Sequence, residues 1–125
     1  MGIFSGLVGN ASESNMEKIH EKYSKLLGPS ETIERAYSII RDLMIFTNKR
    51  LIIVDIQGIT GKKVSYHSVP YKSITHFQVE TAGHFDLDAE LKIWISSTAE
   101  PVRLQFNKSS SIYEIQGILA EYISR

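Results

Sequence analysis

Residues 41–74 read RDLMIFTNKRLIIVDIQGITGKKVSYHSVPYKSI, and this stretch decides the fold. It is one β-rich run cut by turn chemistry at short intervals. Leu43 to Thr47 and Leu51 to Ile56 are apolar runs joined by Asn48-Lys49-Arg50. Gln57 to Lys62 carries Gly58 and Gly61, which accept positive φ, and reads as a hairpin loop. Val64 to Val69 reads as the next strand, and Pro70 interrupts its ladder. An antiparallel strand with one wet face alternates apolar and polar residues; the first two runs do not. Both of their faces therefore expect cover. An N-terminal helix can cover one patch, and a second copy of the chain can cover more.

Outward from this stretch the period stays at two. Thr32 to Ile39 reads as the first strand. Thr75 to Thr81 turns Thr75, Phe77 and Val79 one way and His76, Gln78 and Glu80 the other. Ala89 to Ser96 puts Leu91, Ile93 and Ile95 inward and Lys92 and Trp94 outward; Val102, Leu104 and Phe106 follow inward after a turn at 97–101. That makes seven strands between residues 32 and 106. The period changes to 3.6 at both ends. Met16, Ile19, Tyr23, Leu26 and Leu27 share a face of a helix over 14–27, opened by a Ser14/Glu17 capping box and stopped by Gly28-Pro29. Ile112, Ile115, Leu119 and Tyr122 share a face of a helix over 111–124, with Ser111 and Glu114 as a second capping box. Residues 1–12 read as a flexible arm before a single domain at 13–125. The expected class is mainly β: a seven-stranded antiparallel sheet bent into a barrel and capped by the C-terminal helix.

A chain of 125 residues can bury roughly two-thirds of its unfolded surface in one core. Fourteen basic residues balance fourteen acidic ones, which argues against general nucleic-acid binding. The chain has no cysteine, which excludes disulfides, thiolate metal sites and a cysteine nucleophile. No apolar run approaches the roughly 20 residues of a membrane span, and residues 1–13 lack signal-peptide character. Position 6 is Gly6, where a myristoylation pattern wants Ser or Thr. The reading is a cytoplasmic protein.

The wording is specific. Ile40-Arg41-Asp42-Leu43, Phe46-Thr47-Asn48-Lys49-Arg50-Leu51-Ile52, Gly58-Ile59-Thr60-Gly61-Lys62-Lys63, residues 66–74 (YHSVPYKSI), Val79-Glu80-Thr81-Ala82-Gly83 and residues 85–92 (FDLDAELK) resemble the bacterial pleckstrin-homology domain family. The resemblance runs from about Asn10 to the C-terminus. It implies a PH-like barrel with an additional N-terminal helix, a cytosolic single-domain protein and homo-oligomeric rings of five-fold symmetry. It implies no established biochemical role.

Three candidate sites follow. Phosphoinositide-binding PH domains gather cations around the first hairpin loop. Here that end offers Arg41, Lys62 and Lys63, with Asp42 alongside, which makes at most a weak phosphate or phospholipid site. His84, Asp86, Asp88 and Glu90 alternate and read as a polar strand face rather than a metal site. No Gly-x-Ser-x-Gly elbow, Walker loop or dinucleotide fingerprint appears, so neither enzyme activity nor a cofactor is expected. An outward Trp94, with Leu43, Ile45, Ile52 and Val54 on the two-sided strands, reads as a subunit interface. The expected function is a non-enzymatic module that assembles with itself into a ring and presents a surface to an unidentified protein.

Overall fold

The computed structural model describes residues 13–39, 42–57, 62–81, 89–106 and 112–125, with side chains from Met16 onward. Two compact units divide the chain, Met1–Ser68 and Val69–Arg125.

In the first unit, helix α1 (Glu13–Tyr23) and one 3-10 turn (Ser24–Leu26) precede β1 (Ile33–Ser38), β2 (Leu43–Thr47), β3 (Arg50–Gln57) and β4 (Lys63–Pro70). These strands form one sheet in sequence order. Ile39 and Asp42 exchange both backbone hydrogen bonds, at 2.9 and 2.8 Å, and close the β1–β2 hairpin. The β2–β3 register sets Leu43 against Val54 and Ile45 against Ile52 on one face, and Met44 against Ile53 and Phe46 against Leu51 on the other.

Both faces of β2 and β3 do need cover, and a single chain supplies it. All five β2 residues are buried, as are Leu51, Ile52, Ile53 and Val54. Leu43, Ile45, Ile52 and Val54 lie in one cluster with Met16 and Tyr23 of α1 and Ile33 and Ala36 of β1. Ile19, Leu26 and Leu27 pack against its margin, as the helical spacing predicts. On the opposite face Tyr37 meets Phe46 edge-on, centroids 6.0 Å apart. Leu43, Ile45, Ile52 and Val54, the residues expected at a subunit interface, are buried within this chain. The period-two pattern requires that an apolar face be covered, and α1 of the same chain satisfies that requirement.

The second unit begins at Val69, within β4, and a 3-10 turn (Tyr71–Ser73) follows. β5 (Ile74–Thr81), β6 (Ala89–Ile95), β7 (Val102–Phe106) and α2 (Ile112–Ile123) follow. The three strands form a sheet in the order β5-β6-β7. Leu91, Ile93, Leu104 and Phe106 are buried on its inner face, as the alternation predicts. The register shifts between Ile74 and His76, which leaves Thr75 as an extra residue on β5. Helix α2 buries Ile112, Ile115, Leu119 and Tyr122, the four residues picked out by the 3.6 period. Tyr122 packs on Tyr71 at 4.8 Å, and Arg125 lies over the Tyr122 ring at 4.3 Å. Ser111, the expected cap of this helix, lies outside the described residues, as does the Ser14 side chain of the other capping box.

Candidate functional site

Two polar constellations stand out, one in each unit. The first is built on Arg50, the opening residue of β3. Its guanidinium grips Glu31 at both carboxylate oxygens, Nε to Oε2 at 2.8 Å and Nη2 to Oε1 at 3.0 Å. Nη2 also donates to the Leu26 carbonyl at 2.6 Å, and Nη1 to Ser68 Oγ at 2.7 Å. Thr47 donates its hydroxyl to Glu31 Oε2 at 2.6 Å and accepts the Lys49 and Arg50 amides. The Gly28 amide supplies a further bond to Glu31 Oε1, at 3.0 Å. The Glu31 side chain is 5 % exposed. Burial alone would raise its carboxyl; hydrogen bonds from Arg50, Thr47 and Gly28 outweigh that effect and hold it at about 2. Every guanidinium nitrogen and both carboxylate oxygens are engaged. The cluster is a clamp that joins the segment after α1 to β3 and β4, and it leaves no charge over for a ligand. Nothing in the residue spacing announces it, because Glu31 and Arg50 are 19 positions apart and each reads alone as a loop charge.

The second constellation is the outer face of the β5–β7 sheet. Pairing sets His76 beside Trp94, Gln78 beside Lys92, and Glu80 beside Glu90. On the far side of β6, Lys92 faces Arg103 and Glu90 faces Gln105. The His76 and Trp94 rings stack with centroids 4.4 Å apart and planes 13° from parallel. Thr75, the extra residue of the bulge, donates its hydroxyl to the Trp94 carbonyl at 3.2 Å and sits 3.1 Å from His76 Nδ1. A hydroxyl has one proton, so with that proton on the carbonyl its oxygen is an acceptor for the tautomer of His76 that carries its proton on Nδ1. Below the stack Lys92 Nζ pairs with Glu80 at 2.6 Å and stands 3.8 Å from Glu90, which is 3.8 Å from Arg103. The Lys92 bond to Glu80 holds that exposed carboxyl below its ordinary range. Trp94 faces outward as the alternation predicts, and it is half-buried because His76 covers one side.

Lys62 and Lys63 are exposed at the start of β4, and Arg41 lies outside the described residues. Asp42 turns a carboxylate oxygen to the Ile56 amide at 3.1 Å. His84, Asp86 and Asp88 lie outside the described residues, while Glu90 belongs to the ion-paired sheet face. Among the described residues no three metal-binding side chains come together, and no helix is long and apolar enough to cross a membrane.

Comparison with known proteins supports the fold throughout. The family model described as Bacterial PH domain matches residues 2–123, a span that starts earlier than the motif resemblance and runs through both units. The uncharacterized protein YjqA of Bacillus subtilis is 54 % identical over 121 residues, covering 96 % of this chain and 97 % of that one. The crystal structure of a pleckstrin homology domain from Shewanella amazonensis superposes with a TM-score of 0.81 at 53 % identity, covering 92 % of this chain and 93 % of that one. A second crystal structure, a protein with a pleckstrin-homology domain from Shewanella loihica, gives 0.75 at 50 % identity, over 87 % and 93 % of the two chains. The two antiparallel sheets and the terminal helix are those of a PH-like fold, and the chain belongs to the bacterial PH domain family.

Proposed function

We propose that this protein is a non-enzymatic interaction module that assembles with itself into a closed ring through the wet face of the β5–β7 sheet. The observation that carries the reading is the His76–Trp94 stack in its setting. A large aromatic pair stands on a sheet face that the solvent-side alternation reserves for polar residues. Ion pairs of Glu80, Lys92, Glu90 and Arg103 lie beside it. An aromatic centre next to a charged margin is the anatomy of protein interfaces, where Trp is over-represented among the residues that hold partners together. The four aliphatic residues of β2 and β3 play no part in this contact, because α1 covers them. The proposed ring has five copies, the number that the family resemblance implies. A ring needs a head-to-tail contact whose rotation closes, and the same patch also offers a surface to a different protein.

Light scattering on pure protein tests the reading. Wild type is expected to form one discrete multimer at micromolar concentration. Trp94→Glu is expected to shift it to smaller species with an unchanged circular-dichroism spectrum, since the side chain lies outside both hydrophobic cores. A wild type that stays monomeric at high micromolar concentration overturns the proposal.

A further inference from the structure

Each sheet ends in two edge strands, and an edge strand shows a row of N–H and C=O groups that another chain can pair with. Three of the four edges carry devices that block such pairing. β1 has a register shift between Ile33 and Arg35 and the charges of Glu34 and Arg35. β5 has its bulge at Thr75 and a charge at Glu80. β7 is five residues long and carries Arg103. β4 differs. It is eight residues long, and from Val64 to Val69 it holds no Pro, Lys, Arg, Asp or Glu; Lys63 and Pro70 stand only at its ends. Ser65, Tyr66, His67 and Ser68 are all exposed, and among the described residues no strand other than β3 pairs with β4.

We propose that the open edge of β4 receives an extended acidic segment of a different protein, which joins the sheet through backbone hydrogen bonds. This goes beyond the β5–β7 contact and does not depend on it. Charge selects the occupant. Lys62 and Lys63 are exposed where β4 begins, and residues 56–79 contain no Asp or Glu in a chain whose charges balance overall. A second copy of β4 would bring only its own lysines to this edge; an acidic segment brings the missing sign. Side chains supply the rest of the recognition. Successive strand residues point to opposite faces, so Val64, Tyr66 and Ser68 share one. Val64 packs at the margin of the cluster under α1, and Tyr66, 41 % exposed, meets Tyr23 of α1 edge-on with centroids 6.3 Å apart. Lys22 lies over the Tyr23 ring at 5.5 Å. A strand laid along β4 therefore meets an aromatic surface with a further cation beside it, which suits apolar residues at alternate positions and acidic residues around them.

The experiment selects a display library of random peptides against the full chain. The expected winners carry apolar residues at alternate positions and an acidic run at one end. N-methylation of a winning peptide at every second residue then reads the pairing itself, because alternate amides of a strand point to opposite sides. One of the two alternating series is expected to abolish binding, and the other to leave it within about twofold. Lys62→Glu together with Lys63→Glu is expected to weaken binding at least about tenfold with an unchanged circular-dichroism spectrum, and added salt to weaken binding to wild type. Tyr66→Ala is expected to weaken it as well. Amides of β4 are expected to gain hydrogen-exchange protection when the peptide binds. A library that yields no binder overturns the proposal, as does a binder that tolerates both methylated series, survives the charge reversal or protects amides elsewhere than β4. Winners that reproduce this chain's own residues 64–69 would give the edge to a second copy and overturn it too.

Discussion

Arg50→Ala is expected to lower folding stability by about 3–5 kcal/mol, the usual cost of stripping the partner from a buried charge. For a domain of this size that is a fall of roughly 10–20 °C in melting temperature. The Glu31 side chain, 5 % exposed, would keep its burial and lose the bidentate guanidinium. The Leu26 carbonyl and Ser68 hydroxyl would lose their donor in the same step. Glu31→Gln is expected to cost less, because the amide oxygen still accepts from Gly28 or Thr47 and the charge left without its partner, the Arg50 guanidinium, is 26 % exposed.

The pH dependence separates a charge effect from simple loss of packing. The Glu31 carboxyl titrates at about 2 in the folded chain against an ordinary 4.5. A depressed carboxyl gives its stabilisation above the unfolded value and loses it as pH falls through the folded one. At full ionisation the depression corresponds to about 3 kcal/mol. Wild type should therefore lose that contribution between pH 4.5 and about 2. In Arg50→Ala the depressing partner is gone, so the stability gap between the two proteins should narrow across the same window. Urea titrations at a series of pH values measure it; a gap that stays constant through the acid range would assign the loss to packing alone.

The fold was legible because its signals are local and periodic. The strand from Leu43 to Thr47 falls on its continuous apolar run, and the one from Val102 to Phe106 falls where the alternation puts it. The buried face of α2 is the 3.6-period set Ile112, Ile115, Leu119 and Tyr122. The clamp was not legible, because it joins residues whose meeting depends on how the segment after α1 returns to the sheet. The proposed interface was half legible. Alternation marks Trp94 as outward, but His76 becomes its partner only through a register that includes the Thr75 bulge. The apolar faces of β2 and β3 left the choice of cover open for a different reason. Hydrophobicity says that a face must be dry and is silent about which chain dries it. A cover from α1 and a cover from a neighbour leave the same pattern in Leu43, Ile45, Ile52 and Val54.

That ambiguity makes Ile45 the most informative core position. Ile45 is fully buried, paired with Ile52 on one side and Ala36 on the other, in the cluster that holds Met16. Ile45→Ala removes three carbons from the centre of a strand whose neighbours are fixed by hydrogen bonds on both edges. Collapse into the space is limited, and the expected cost is about 2–5 kcal/mol. Ile45→Val removes one carbon and should cost about 0.5–1.5 kcal/mol. Met16→Ala should also destabilise, and its effect should not simply add to that of Ile45→Ala. Once the strand side of the contact is gone, the helix side has less to lose, so the double variant should fall short of the sum by about 0.5–3 kcal/mol. Denaturant titrations of the four proteins give this coupling. Strict additivity would mean that Met16 does not sit on Ile45, and that the strip is dried by something other than α1. A coupling in the expected range places the helix on the strip, with Met16 and Ile45 sharing one core.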